Sequence, residues 1–249
     1  MKRLVGVLTV LDGWVVGSYG FKTWLPVGRV AHQIEELERW QVDEIAILDI
    51  SPTVFGPGSQ AIFDVLQTAS PLTPILVGGG IASLDDASRI LRQGADRVLL
   101  GSGAFNDLNL VDTISSTFGD QAVVLALPIL RTAIARWCEP KSGGHRPLDD
   151  LRYAISDDWG GELLVMDVLA DGGHDSFDPT LLDDVTQVIP DARVMVFGGF
   201  RSPQAVDKVL SHQCTTAVCF GNVVHQRETF IRTLKRELAH PTRPFFEGA

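Results

Sequence analysis

Val77-Gly78-Gly79-Gly80-Ile81-Ala82-Ser83 and Phe197-Gly198-Gly199-Phe200-Arg201-Ser202 decide how the rest of the chain is read. Each starts at the end of an apolar run, turns on consecutive glycines and leads to a serine placed to cap a helix; Pro203 follows the second serine at the first helical position. The motifs stand 119 positions apart, counted from Gly79 to Gly198. Each is followed by a helical pattern and then by a strand closing on Gly101-Ser102-Gly103 or Gly221-Asn222. Upstream, Asp43-Glu44 and a strand ending at Asp49 match Gly161-Glu162 and a strand ending at Asp167. Four matches in the same order predict two half-barrels related by duplication.

Working outward, eight strand-like runs emerge: Leu4–Val10, Ile45–Ile50, Pro74–Val77, Arg97–Gly101, Ala122–Leu127, Glu162–Asp167, Arg193–Phe197 and Thr216–Gly221. They are almost continuously apolar, as parallel strands covered on both faces are. Amphipathic segments alternate with them. Val27–Trp40 carries Val30, Ile34 and Leu37 on one stripe, and Ala87–Leu91 and Phe230–Leu238 read as further helices. Eight strands alternating with helices in 249 residues predict an α/β fold, a (β/α)8 TIM barrel forming a single domain over residues 1–249. A doubly wound open sheet is the alternative.

Composition narrows the function. The net charge of -10, from 21 basic against 31 acidic residues, lacks the basic footprint of a nucleic-acid binder. No apolar run reaches the roughly 18 residues of a membrane span, and Met1-Lys2-Arg3-Leu4 leads directly into a strand, so the reading is of a cytoplasmic protein with no membrane role. Cys138, Cys214 and Cys219 form no CxxC pair, and the six histidines show no ligand spacing; neither a metal nor a cofactor is expected. None of the five lysines sits at a strand end, as a Schiff-base aldolase would need.

The glycine turns are the strongest candidates for a binding site. Gly79 and Gly80 with Gly101 and Ser102 form one set; Gly198 and Gly199 with Gly221 and Asn222 form its counterpart. Glycines between strand and helix let backbone amides approach an anion. Two sets on opposite sides of one mouth suit a ligand with a phosphate at each end, although glycines serving only as tight turns would look the same.

Over Arg3 to about Arg236, the chain resembles the cyclase subunits of imidazole glycerol phosphate synthase, which are barrels of histidine synthesis. The likeness is carried by Leu11-Asp12-Gly13-Trp14-Val15-Val16, Asp43-Glu44 through Leu48-Asp49-Ile50, and the first glycine motif. It continues in Gly94-Ala95-Asp96-Arg97-Val98, Phe118-Gly119-Asp120-Gln121-Ala122-Val123-Val124, Asp171-Gly172 and the second glycine motif. The resemblance implies a partner glutaminase that supplies ammonia, and a phosphorylated small-molecule acceptor. It also implies two catalytic aspartates, on the first and fifth strands. Those positions hold Thr9 and Pro128, which cannot exchange protons near neutral pH. The remaining carboxylates expected near the mouth are Asp12 and Asp171, the latter beside Gly172 in the pair the family uses next to a phosphate. The lysine of the first loop is replaced by Gly17, with Lys22 and Arg29 further along.

The resemblance further implies an ammonia gate at the opposite end, formed by Arg3, Glu44, Arg97 and Glu162, all with the family's charge sign. Such charges should pair around the barrel axis. The functional expectation is therefore a diverged cyclase-like subunit that pairs with a glutaminase and delivers ammonia to a phosphorylated acceptor, its ring-closing step impaired. The alternative is a non-catalytic protein that holds a phosphorylated ligand or activates a partner. The segment Lys141-Ser142-Gly143-Gly144-His145-Arg146 is expected at the mouth as a covering insertion, and His174 on a mouth loop.

Overall fold

The computed structural model describes every residue except Phe21, Val54, Ser70, Thr132, 140–142, Glu228, Pro241 and 244–249. The first half runs β1 (Arg3–Leu11), β2 (Trp14–Tyr19), β3 (Thr23–Arg29), α1 (Val30–Arg39), β4 (Glu44–Asp49), α2 (Pro57–Ala69), β5 (Ile75–Gly78), α3 (Leu84–Arg92), β6 (Arg97–Leu100), α4 (Ser102–Asn106) and α5 (Leu110–Phe118). The second runs β7 (Val123–Arg131), β8 (Ala135–Glu139), β9 (Gly144–Pro147), α6 (Leu151–Ala154), β10 (Glu162–Asp167), α7 (Thr180–Val188), β11 (Val194–Phe197), α8 (Pro203–Leu210), β12 (Thr215–Phe220), α9 (Asn222–Gln226) and α10 (Phe230–Glu237).

Eight of these strands pair in parallel in the order β1-β4-β5-β6-β7-β10-β11-β12, and β12 returns to β1. The sheet is closed, so the open-sheet alternative is excluded and the TIM barrel stands. Strand alternation divides the core in two. Inward side chains, among them Val5, Val7, Ala46, Leu76, Leu99, Met166, Met195 and Phe197, fill the barrel, while a larger outward cluster packs against the helices.

The repeat seen in the sequence is also a repeat of conformation. Gly79 and Gly80 have φ of +131° and +68°, and Gly198 and Gly199 have +158° and +63°. Ser83 caps α3 through the Asp86 amide, as Ser202 caps α8 through the Ala205 amide. Each half opens with a nine-residue strand followed by antiparallel strands, β2 and β3 after β1, β8 and β9 after β7.

These hairpins are what the sequence reading missed. The helix expected from Val27 starts at Val30, because Thr23–Arg29 pairs with β2 and the Arg29 guanidinium lies 4.1 Å over the Trp14 ring. The fifth barrel strand, expected to end at Leu127, continues to Arg131, where its upper residues pair with β8. In the insertion expected at the mouth, Lys141 and Ser142 lie outside the described residues, and Gly144 to Arg146 belong to β9.

Candidate functional site

At the N-terminal ends of the strands, Arg3, Glu44, Arg97 and Glu162 form a closed ring. Arg3 Nη2 donates to both Glu162 carboxylate oxygens, at 2.8 and 2.6 Å, and its Nε lies 3.5 Å from Glu44 Oε2. Arg97 Nη1 reaches Glu162 Oε2 at 2.8 Å and Glu44 Oε1 at 3.2 Å. The Thr216 hydroxyl adds a 2.6 Å bond to Glu162. Both glutamates are buried, at 4% and 2% side-chain exposure, whereas Arg3 keeps 28% and stays in touch with solvent.

The two acids are not equivalent. Burial raises the pKa of Glu44, and its longer contacts with Arg3 and Arg97 do not reverse this. Burial acts in the same direction on Glu162, but Arg3, Arg97 and the Thr216 hydroxyl outweigh it and hold the carboxyl below its ordinary value. Glu162 is the firm anion of the ring. Glu44 is the member that takes up a proton first.

Along the barrel axis toward the mouth, the lining becomes apolar. Thr9 pairs with Leu48, and Pro128 with Met166. Both positions share the inward parity of Val7 and Ala126, so Thr9 and Pro128 lie on the inner face of the barrel beside Leu48 and Met166. Pro128 is also tied at the backbone, its carbonyl accepting from Cys138 Sγ at 3.3 Å; burial pushes the Cys138 thiol up to about 11, so no thiolate forms there near neutral pH.

At the mouth, a small cavity of about 30 Å³ is lined by Asp171, Gly172, Phe197, Gly199, Arg201, Gly221 and Asn222, among others. It brings together most of the second-half residues singled out in the sequence, though not Gly198, whose extended turn packs toward Ala170, Phe177 and Asp167. Arg201 was missed as a site residue: it stood inside the repeat motif, and only the closed fold shows that it borders the cavity. Asp175 was also missed. Its Oδ1 accepts from the Arg201 and Ser202 amides at 2.6 and 3.0 Å, so the α8 N-terminus already carries an anion.

The β2-β3 hairpin is fastened over this cavity. Ser18 donates its hydroxyl to Asp171 Oδ2 at 2.7 Å, and the Asn222 side-chain amide pairs with both backbone groups of Ser18, at 2.9 and 2.5 Å. The Gly20 amide donates to the Asp171 carbonyl at 3.2 Å. Gly17 faces Asn222: a Cβ there would lie 3.2 Å from Oδ1.

Asp12 sits elsewhere. It occupies the β1-β2 turn at φ +48°, exposed, with its amide donating to Ser51 Oγ at 2.9 Å. The six residues of β2, roughly 20 Å of extended chain, separate it from the hairpin tip against Asp171. The two aspartates do not form a pair.

In the first half, Gly101 faces open space, but Ser102 is already engaged: its hydroxyl donates to Glu139 Oε1 at 2.6 Å. Away from the mouth, Cys214 Sγ lies 3.0 Å from His212 Nδ1, and His212 Nε2 lies 3.2 Å from Asp183. Burial raises that thiol's pKa, the opposite of nucleophile activation. Among the described residues no group of three or more ligand-type side chains could hold a metal, and no helix is long and apolar enough to cross a membrane.

Residues 3–229 match the family model described as histidine biosynthesis protein. Among curated proteins, the chain is 33% identical to imidazole glycerol phosphate synthase subunit HisF of Staphylococcus carnosus, over 95% of each chain. It is 32% identical to the HisF subunit of Acidobacterium capsulatum, over 98% of this chain and 97% of the other, and 28% identical to that of Bacillus cereus, over 95% of each.

Proposed function

The chain belongs to the histidine biosynthesis protein family, among its HisF members, and from that premise we propose that it is a diverged cyclase-type subunit that receives ammonia from a glutaminase at its basal ring and delivers it to a phosphorylated acceptor at the mouth. The observation that carries this reading is the contrast between the two ends of the barrel. The basal ring is complete, with every charge matched. At the mouth, the positions of the family's acid–base pair hold Thr9 and Pro128.

The charge balance supports a passage. Both guanidiniums are held by Glu162 at 2.6 and 2.8 Å, while Glu44, whose contacts are longer and whose pKa burial raises, is the member able to yield. Beyond the ring, the apolar barrel interior suits a small neutral amine better than an ion. At the mouth, the cavity between Gly199, Arg201, Gly221 and Asn222 supplies a cation and glycine backbone for one phosphate. Asp171, held by Ser18, is the carboxylate closest to that cavity and the best candidate to act on the acceptor.

General acid–base groups contribute typically about 10²- to 10⁴-fold. Ring closure of the family's bis-phosphorylated precursor with free ammonium is accordingly expected to be slower than in an intact cyclase by at least about that factor. The deciding experiment mixes the purified chain with a candidate glutaminase and follows glutamine hydrolysis. Stimulation is expected, and Arg97→Glu, which turns one cation of the ring into a third acid, should abolish it. Lack of any complex or stimulation with glutaminases of the same genome would overturn the ammonia reading. Phosphate binding without turnover, even in a complex that hydrolyses glutamine, would favour the non-catalytic binding protein instead.

A further inference from the structure

The duplication makes the two anion cradles comparable residue by residue: Arg201 stands where the first half has Ala82, Asp175 occupies the turn before α8, and the residue that opens the next helix is engaged differently in the two halves. Asn222 opens α9 as Ser102 opens α4, each after a glycine with nearly the same backbone, ψ near -107°. In both halves the first strand of the added hairpin approaches that residue. From β2 comes the Ser18 backbone, which pairs with the neutral Asn222 amide and leaves a cavity bordered by Arg201. From β8 comes Glu139, a carboxylate of 5% exposure, bound to the Ser102 hydroxyl. Resting on the phosphate reading above, we propose that Glu139 is a specificity-determining residue: it fills the Ser102 corner of the first-half cradle with the chain's own carboxylate, so the mouth takes a ligand with one phosphate rather than two.

Strand β8 is held firmly in that position. Trp137, 1% exposed, meets the Phe105 ring of α4 edge-on at 5.3 Å between centroids. Arg146 of β9 covers the same ring at 5.2 Å and donates from Nε to the Phe105 carbonyl at 2.8 Å. Cys138 bonds the Pro128 carbonyl from the strand's other face. Glu139 therefore cannot swing away as a free surface side chain does. A phosphate at Ser102 would have to displace a buried carboxylate or sit against it, and like charges at such range repel strongly.

Isothermal titration with inorganic phosphate, ribose monophosphate and ribulose bisphosphate tests this on the full chain and on Glu139→Gln and Glu139→Ala. The wild-type chain should take one phosphate per molecule and bind the bisphosphate no more tightly than the monophosphate. Either variant should take two, and gain about tenfold or more for the bisphosphate as its second end becomes engaged. Glu139→Gln keeps an acceptor for Ser102, so it reports on charge even where Glu139→Ala loosens the hairpin. Two phosphates on the wild-type chain, or a folded Glu139→Gln that still takes one, overturns the proposal and leaves the phosphate reading intact. No phosphate on the wild-type chain removes that reading, and this proposal with it.

Discussion

Neutralising either acid of the basal ring tests whether the two glutamates differ as their surroundings require. Glu162→Gln removes the carboxylate that meets Arg3 at 2.6 Å and Arg97 at 2.8 Å, leaving two guanidiniums to share Glu44 at 3.5 and 3.2 Å. Breaking a buried pair by removing one partner typically costs about 3–5 kcal/mol. Glu44 and the solvent contact of Arg3 compensate in part, which puts the expected loss near the lower limit, at about 3 kcal/mol. In a domain of this size that corresponds to a fall in Tm of about 6–12 °C. Glu44→Gln removes the acid with the longer contacts, at 3.5 and 3.2 Å, and leaves both guanidiniums on Glu162, so its expected cost is the smaller of the two, at about 1–2 kcal/mol. Urea melts of the two variants at neutral pH measure the difference. Equal losses would refute the division of the ring into a firm and a yielding acid. A loss for Glu162→Gln below about 1 kcal/mol would show that the ring behaves as solvated surface pairs do.

The other predictions are direct. His225 is held neutral by burial, its pKa lowered to about 4, while Nδ1 lies 2.9 Å from the Gln33 side-chain oxygen. The unfolded chain binds this proton from about pH 6.5 downward and the folded chain does not, so stability present above that pH is lost toward pH 4, by up to a few kcal/mol; the urea midpoint of His225→Gln should fall less over that window than that of the wild-type chain. Asn222→Ala removes both bonds to the Ser18 backbone, so amide exchange across β2 and β3 should accelerate by about tenfold while the barrel strands keep their protection. Gly199→Ala places a Cβ 2.7 Å from the Ala170 carbonyl at φ +63°, and should abolish phosphate binding with a stability loss of about 1–3 kcal/mol. Gly101→Ala meets no neighbouring atom, but its ψ of -108° lies outside the regions that L residues favour, so a loss of about 1 kcal/mol or more is expected in thermal melting.

How much the sequence disclosed depends on the range over which each signal acts. The barrel was legible because eight apolar runs and two glycine turns are local patterns, and the glycines were required where φ is positive, as at Gly80 and Gly199. The charged ring was legible only through resemblance; its four members come from positions 3, 44, 97 and 162, and nothing local to any of them indicates the other three. The hairpins escaped notice because β3 is an exposed edge strand broken by Pro26, and its last residues run directly into a helical pattern.

The sequence by itself determined the fold class and the glycine turns, because both follow from residue identity and spacing along the chain. The tertiary structure alone decided which side chains share a site. Barrel closure brings Ser18 to Asp171 and Asn222, and Glu139 to Ser102, across separations of 153, 204 and 37 residues. Periodicity indicates which face of a strand a residue takes. Whether a carboxylate on that face meets a hydroxyl, a guanidinium or water depends on what the closed barrel places opposite it.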